Sequence, residues 1–145
     1  MEKIKANVLL VDDEEDFLEL LTERLESRGI KVSSVTSGED AIIKTEEEDY
    51  DAVILDIAMP GIDGIETLKL IKEKNPDLKI IMLTGQATVP RSIEAMKYGA
   101  EDLLEKPVEI EILLEKIGQA KHKRMLILQK KSQNEVKKIL KRKSW

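Results

Sequence analysis

Residues 8–16 read VLLVDDEED, four apolar residues followed directly by five acidic ones. An unbroken apolar run of this kind is typical of a strand buried on both faces of a parallel sheet. The adjacent carboxylates of Asp12 and Asp13 repel each other, and a bound cation would offset that repulsion. The stretch therefore predicts a buried first strand that ends at a cation site.

The composition predicts one globular domain. The chain has 145 residues and 41% hydrophobic residues, which is enough for a core that supports itself. It has no cysteine, which excludes disulfides and thiolate metal sites and favours a cytoplasmic protein. We expect no membrane association, because the apolar runs are far shorter than the roughly 20 residues of a membrane span and Met1 is not followed by a signal peptide's apolar stretch.

The charge is divided unevenly along the chain. Residues 121–145 hold ten Lys or Arg against the single acid Glu135, a net of +9, which leaves −14 of the total of −5 for residues 1–120. A difference in net charge of this size between two segments is typical of regions with different roles. We therefore expect a domain over residues 1–120 and a basic helical C-terminal extension over residues 121–145.

Short apolar runs alternate with helical spacing along the first 120 residues. Leu18, Leu21 and Leu25 recur at three and four residues before Gly29, and Ser37 is placed to cap the helix that follows it. Strand and helix in repeated alternation predict an α/β, doubly wound parallel sheet with helices on both faces. The predicted strands are residues 7–11, 31–35, 52–55, 80–83 and, more weakly, 102–105.

Ligands of such sheets bind at the carboxyl ends of the strands, so the residues there are the candidate site. Three acids at this edge favour a hard cation with oxygen ligands, and Mg²⁺ fits because it keeps waters that a phosphoryl oxygen can replace. The strand-end residues are Asp12 and Asp13 after the first strand, Asp56 after the third, Thr84 after the fourth and Lys106 after the fifth.

These residue types suit transfer of a phosphoryl group. Asp56 is the candidate nucleophile, because a carboxylate can form an acyl phosphate. Lys106 would offset charge on the equatorial oxygens, and the Thr84 hydroxyl would donate a hydrogen bond to one of them. Taken singly, the acids could merely open the following helix, Thr84 could lie in a plain turn and Lys106 could end a solvated strand. Their agreement at four strand ends favours a site.

At this point the sequence resembles a known family, the receiver domains of two-component response regulators, in the CheY-like superfamily. The resemblance covers residues 5 to about 120 and rests on the segments VLLVDDEED, AVILDIAMPGIDGIE, IIMLTGQ and DLLEKPV. It implies a flavodoxin-like, five-stranded sheet in the order 2-1-3-4-5 flanked by five helices. It also implies Mg²⁺ held by Asp12, Asp13, Asp56 and the backbone carbonyl of Ala58, and a cis Lys106–Pro107 peptide.

The resemblance further implies a function. Asp56 would accept a phosphoryl group from a histidine kinase or a histidine phosphotransfer protein, without the chain being an enzyme on a separate substrate. Thr84 would act as a switch together with Leu103, where receivers usually have an aromatic residue. Ala58 and Gln86 occupy the positions that tune hydrolysis in the family, from which we expect slow to moderate self-dephosphorylation.

The C-terminal residues predict that the last helix continues beyond the domain. Apolar residues recur near a three-and-four spacing at Leu114, Ile117, Met125, Leu128, Val136 and Ile139, with Lys121 and Ser132 interrupting the seam. The extension has four interpretations: a solvated linker, a homodimerising helix, a docking surface for an acidic partner or a nucleic-acid contact. The last has least support, since no helix-turn-helix or zinc-finger pattern is present.

Two broader alternatives remain open. The chain could be a non-phosphorylated interaction or dimerisation module with a receiver fold, or the N-terminal receiver of a longer transcriptional regulator. A phosphorylated receiver would pass its signal to a downstream protein target or output domain through the surface around residues 92–98 and Leu103. A phosphatase of the haloacid dehalogenase type is excluded, because Ala58 stands where that chemistry needs a second aspartate.

Overall fold

In the computed structural model, which describes residues 5–85 and 88–143, five parallel strands form one sheet. The strand order is β2-β1-β3-β4-β5, which confirms the predicted doubly wound topology. Helices follow all five strands, as predicted. The elements are β1 Asn7–Val11, α1 Glu15–Glu26, β2 Lys31–Val35, α2 Gly38–Glu47, β3 Ala52–Asp56, α3 Gly64–Lys74, β4 Ile80–Thr84, α4 Val89–Lys97, β5 Asp102–Glu105 and α5 Ile110–Lys143.

The strand register brings the candidate residues to one edge of the sheet. Val11 pairs with Leu55, Asp56 with Leu83 and Thr84 with Glu105, so all these strands end together. Strands β3 and β4 each run one residue farther than predicted, so that Asp56 and Thr84 are their last residues. Both side chains therefore project from buried, hydrogen-bonded backbone, which fixes their positions more firmly than a loop would.

The two faces of the sheet carry separate hydrophobic clusters. Helices α2, α3 and α4 cover one face, where Ala41, Leu68 and Ala95 lie in the cluster. Helices α1 and α5 cover the other, to which Leu21 and Ile117 contribute. Strands β3 and β4 are buried along their whole length, which explains why their sequences are continuous apolar runs rather than alternating ones.

Side-chain caps begin the three helices of the first face. The Ser37 hydroxyl accepts a hydrogen bond from the backbone N–H of Asp40, which confirms the predicted cap of α2. Asp63 caps α3 by accepting from the N–H of Glu66, and Thr88 caps α4. The Lys106–Pro107 peptide is cis, as predicted.

Helix α5 runs without interruption through the charge boundary. Its buried residues Leu113, Leu114, Ile117 and Ala120 lie in its first turns, and Met125 is 47% exposed. Beyond Ala120, basic residues of α5 contact acidic residues that precede strands in the sequence and lie at the amino edge of the sheet. These contacts join Lys123 to Glu101, Arg124 to Asp51 and Lys131 to Asp77. None of the helices in the described part of the chain combines the length and the apolar composition that a bilayer span requires.

Candidate functional site

Asp56 lies buried at the carboxyl edge of the sheet, beside two further acids. Asp56 is 5% exposed and Asp12 is 2% exposed, whereas Asp13 is open to solvent. One carboxylate oxygen of each residue lies within 4.8 Å of the others. The structure thus brings together the three carboxylates that the sequence pattern predicted to lie at one edge of the sheet.

The surroundings of Asp56 disfavour its charge. Burial, followed by the nearby charge of Asp12, raises the pKa of Asp56 to about 6, against opposing effects of Lys106 and the Ala58 backbone N–H. The Ala58 N–H donates to Asp56 Oδ1 at 3.3 Å. With this pKa, most Asp56 side chains are carboxylates near pH 7, at a cost in solvation and repulsion that added positive charge would lower.

Lys106 supplies positive charge next to these acids. Its Nζ donates to Asp12 Oδ2 at 2.7 Å and lies 3.7 Å from Asp56 Oδ2 and 3.8 Å from Glu14 Oε1. Burial lowers the Lys106 pKa, but the hydrogen bond to Asp12 and the charges of Asp12, Asp56 and Glu14 outweigh it, so the net pKa is raised. Lys106 therefore stays an ammonium, fixed between acids.

The donor set fits Mg²⁺ better than a softer ion. Asp12, Asp13 and Asp56 offer only oxygen ligands, and the exposure of Asp13 leaves room for the waters that Mg²⁺ retains. The single positive charge of Lys106, whose Nζ lies 3.7 Å from Asp56, does not neutralise three carboxylates. The assignment of the Ala58 carbonyl as a ligand stays a prediction, since the contact seen at Ala58 is its N–H.

A cleft of about 380 Å³ opens above Asp56 and gives the space for a phosphoryl group. Thr84 lies in its wall and is 2% exposed, and its backbone carbonyl accepts a hydrogen bond from the Lys106 N–H at 2.7 Å. This bond ties the ends of β4 and β5 together. The lining residues are Glu14, Asp56, Ile57, Ala58, Thr84, Gly85, Thr88, Arg91 and Lys106.

Close packing by Gly64 fixes the loop that follows Asp56. The Gly64 N–H donates to the Ile57 carbonyl at 2.7 Å, and a Cβ added at Gly64 would lie 2.0 Å from the Asp56 carbonyl oxygen. Only a residue without a side chain permits this approach. The start of α3 thus holds the backbone of the candidate nucleophile.

The proposed switch residues lie in the described part of the chain, and one tuning residue does not. Leu103 is half-buried on β5 and packs against the cluster that contains Ala95 of α4. Ala58 is exposed at the cleft. Gln86, expected to influence hydrolysis, lies outside the described residues.

Sequence reasoning missed several residues at the site, among them two charged side chains and one aromatic ring. Glu14 contributes a carboxylate near Lys106, the Phe17 ring lies 4.2 Å from Lys106 Nζ, and Arg91 lines the cleft. The first two follow strand β1 within six residues, so the same strand-end rule, extended into the first helical turn, would have included them. Arg91 gave no such signal, because it reaches the cleft from α4.

Comparison with known proteins gives the same family from three directions. The sequence matches the family described as response regulator receiver domain over residues 8–118. It is 34% identical over 128 residues to the C4-dicarboxylate transport transcriptional regulatory protein DctD of Pseudomonas aeruginosa, covering 88% of this chain and 28% of that protein. It is 37% identical over 116 residues to the transcriptional regulatory protein ZraR of Salmonella typhimurium, covering 80% and 26%.

A solved structure shows the same likeness. The CheY-like response regulator receiver domain protein from Methanospirillum hungatei superposes with a TM-score of 0.80 at 30% identity, over 84% of this chain and 98% of that one. Fold, strand-end acids and matched segments agree, and the chain belongs to the response regulator receiver domain family of two-component systems. It spans about 28% of the length of DctD.

Proposed function

We propose that Asp56 accepts a phosphoryl group from a histidine kinase or a histidine phosphotransfer protein, in a reaction that requires Mg²⁺. The observation that carries this proposal is the convergence of three carboxylates within 4.8 Å, with Lys106 Nζ at 2.7 Å from Asp12 and 3.7 Å from Asp56. Such an arrangement costs folding energy, so a role in chemistry explains it better than a role in stability.

The chain's own residues account for the transfer. An ionised Asp56 oxygen attacks the phosphorus, the bond from phosphorus to the donor nitrogen breaks, and that nitrogen keeps the electron pair. Lys106 stabilises negative charge on the phosphoryl oxygens, and the Thr84 hydroxyl donates a hydrogen bond to one of them. Mg²⁺, held by Asp12, Asp13, Asp56 and the Ala58 carbonyl, would supply further neutralisation of that charge.

The acyl phosphate decays slowly to moderately in this proposal, and the chain is a phosphoacceptor rather than an enzyme for another substrate. Ala58 lies at the cleft without a polar side chain that could orient an attacking water. Loss of the phosphoryl group within seconds in the presence of Mg²⁺ would contradict this part of the proposal.

The relatives suggest the wider setting. DctD and ZraR are transcriptional regulatory proteins far longer than the matched segment, which supports a cytoplasmic receiver, residues 1–120, that acts on an output domain or separate protein target. The extension, residues 121–145, would transmit the signal. Its half-exposed Met125, Leu128 and Ile139 favour a homodimerising helix over a bare linker.

Intact mass after incubation with acetyl phosphate tests the proposal. We expect wild type to gain one phosphoryl group with Mg²⁺ and none with EDTA, and Asp56→Asn to gain none under either condition. Asp49→Asn is the matched control, because this carboxylate is 87% exposed at the opposite edge of the sheet. It should gain the group as wild type does.

Either of two results would count against the proposal. A gain that persists in Asp56→Asn would move the acceptor to another residue. No gain in wild type would favour the alternative, a receiver fold that binds partners without phosphorylation.

A further inference from the structure

Helix α4 is held to the domain by few apolar contacts. Ala95 is the one buried residue that the structure describes in this helix, while Val89 and Ile93 are 71% and 63% exposed. A helix with so little buried apolar surface depends on its polar contacts for its position. Those contacts therefore decide how easily α4 moves.

A row of charged contacts joins α4 to α3. Arg91 in the first turn of α4 donates to Asp63 Oδ2 at 2.8 Å, and its other terminal nitrogen lies 3.8 Å from Glu94. One turn further, Lys69 of α3 lies 3.9 Å from Glu94 and 4.1 Å from the centre of the Tyr98 ring. The row begins at the cleft with Arg91 and continues down both helices.

Asp63 places Arg91 at a junction between the acceptor and the helix. Asp63 caps α3, whose next residue, Gly64, packs against the Asp56 carbonyl. Arg91 lines the same cleft as Asp56, Thr84 and Lys106. Arg91 thus pairs with the Asp63 carboxylate and also lines the space in which a phosphoryl group on Asp56 would lie.

The chemistry of the guanidinium favours its transfer from one anion to the other. A phosphoryl group brings close to two negative charges and three acceptor oxygens, against one charge on Asp63. Arginine remains charged at all accessible pH values and binds phosphate oxygens in a bidentate manner. The partly exposed pair with Asp63, 37% and 38% exposed, is weak enough to be exchanged.

We propose that Arg91 couples phosphorylation of Asp56 to the position of α4. Its guanidinium leaves Asp63 for the phosphoryl group on Asp56, and this breaks the contact between α3 and α4 that lies nearest the cleft. The proposal rests on the proposed function. It assigns to Arg91, a positioning residue, part of the signalling role that the family pattern gives to the Thr84 and Leu103 positions. Helix α4 carries the surface around residues 92–98, so a change in the position of the helix would alter that surface.

Hydrogen exchange of the full chain tests the coupling. Backbone amides of residues 89–97 are followed with and without acetyl phosphate and Mg²⁺, and intact mass gives the phosphorylated fraction. In wild type we expect phosphorylation to speed exchange in α4 about two- to five-fold, the range expected for loss of one partly exposed ion pair. In Arg91→Ala, the α4 amides should already exchange at this higher rate before phosphorylation, and phosphorylation should raise the rate little further.

Two further variants separate coupling from simple support of the helix. Arg28→Ala is the matched control, since Arg28 is also 37% exposed and pairs with Glu111 at 3.1 Å, away from the cleft. It should respond as wild type does. Arg91→Lys keeps the charge and should restore part of the response, which a purely structural loss would not predict.

The outcomes are distinct. The coupling is wrong if phosphorylation speeds α4 exchange equally in wild type and Arg91→Ala, or if fully phosphorylated wild type shows no change in α4. No gain of mass in wild type would instead remove the proposed function, and this inference with it.

Discussion

At the scale of single residues, Asp56 is an acid whose charge the fold does not stabilise. Burial and the neighbouring Asp12 raise its pKa to about 6, above the ordinary 3.8. Because the folded state then binds a proton more tightly than the unfolded state, this carboxyl lowers stability as the pH rises from about 4 to about 6. Above that window the cost is complete.

Asp56→Asn should therefore stabilise the protein in EDTA at neutral pH. The shift of about two pKa units corresponds to a gain of about 1–3 kcal/mol in the free energy of unfolding. The gain should be about 1 kcal/mol smaller near pH 5, where the native Asp56 is largely protonated. Urea unfolding at both pH values measures it, and equal stability of the two proteins at neutral pH would contradict the unfavourable environment of Asp56.

Gly64→Ala tests the close contact behind Asp56. Its Cβ would lie 2.0 Å from the Asp56 carbonyl oxygen, so backbone must move, at a cost of about 1–3 kcal/mol in the free energy of unfolding. Gly85→Ala is the matched control, because among the described residues no atom other than those of its chain neighbours lies within 4 Å of its added Cβ, and it should change stability by less than about 0.5 kcal/mol. Equal effects in urea unfolding would mean that the contact at Gly64 is readily relieved.

The grouping of the strand-end side chains was predictable, because the alternation of strand and helix determines which side chains lie at the same edge of the sheet. Asp12, Asp13, Asp56, Thr84 and Lys106 were found in this way. Arg91 was not, since its place depends on how α4 packs against α3, and local sequence pattern carries no information on that packing.

At the scale of elements, the apolar residues of α4 do not mark its buried side. Ile93 and Met96 recur at a helical spacing of three, yet they are 63% and 49% exposed, while the small Ala95 is buried. The usual link between apolar pattern and burial holds when the apolar face packs on the sheet. Here that face points outward, which makes it available as a binding surface.

Arg124 should hold the second half of α5 against the domain. Its side chain is 19% exposed and lies 3.2 Å from Asp51, which also accepts the Asn7 N–H at 2.8 Å. We expect Arg124→Ala to speed hydrogen exchange over residues 121–135 about two- to five-fold, since the partly buried ion pair with Asp51 and the more exposed one with Asp49 are both lost.

Residues 110–120 should keep their protection in the same variant, because Leu113, Ile117 and Ala120 are buried. Arg142→Ala, in the last turns of the helix, is the matched control and should leave residues 121–135 unchanged. If Arg124→Ala exchanges as wild type does, the contacts at the amino edge do not hold the extension.

At the scale of the whole molecule, charge divides the chain where burial in α5 ends. The sequence predicts the continuing helix from the lack of proline after Pro107 and the repeated apolar residues. Its contacts with Glu101, Asp51 and Asp77 were beyond prediction, because they depend on the angle at which α5 passes the amino edge of the sheet. These ion pairs hold part of the basic second half of α5 against the amino edge of the sheet.

The most direct test of the central claim is to locate the phosphoryl group. Borohydride reduces an aspartyl phosphate to homoserine, and peptide mass spectrometry after treatment with acetyl phosphate and Mg²⁺ identifies the altered residue. We predict homoserine at position 56 and unchanged aspartate at positions 12 and 13. Homoserine at either of those positions, or at none in a protein that has gained phosphate, would contradict the assignment of Asp56 as the acceptor.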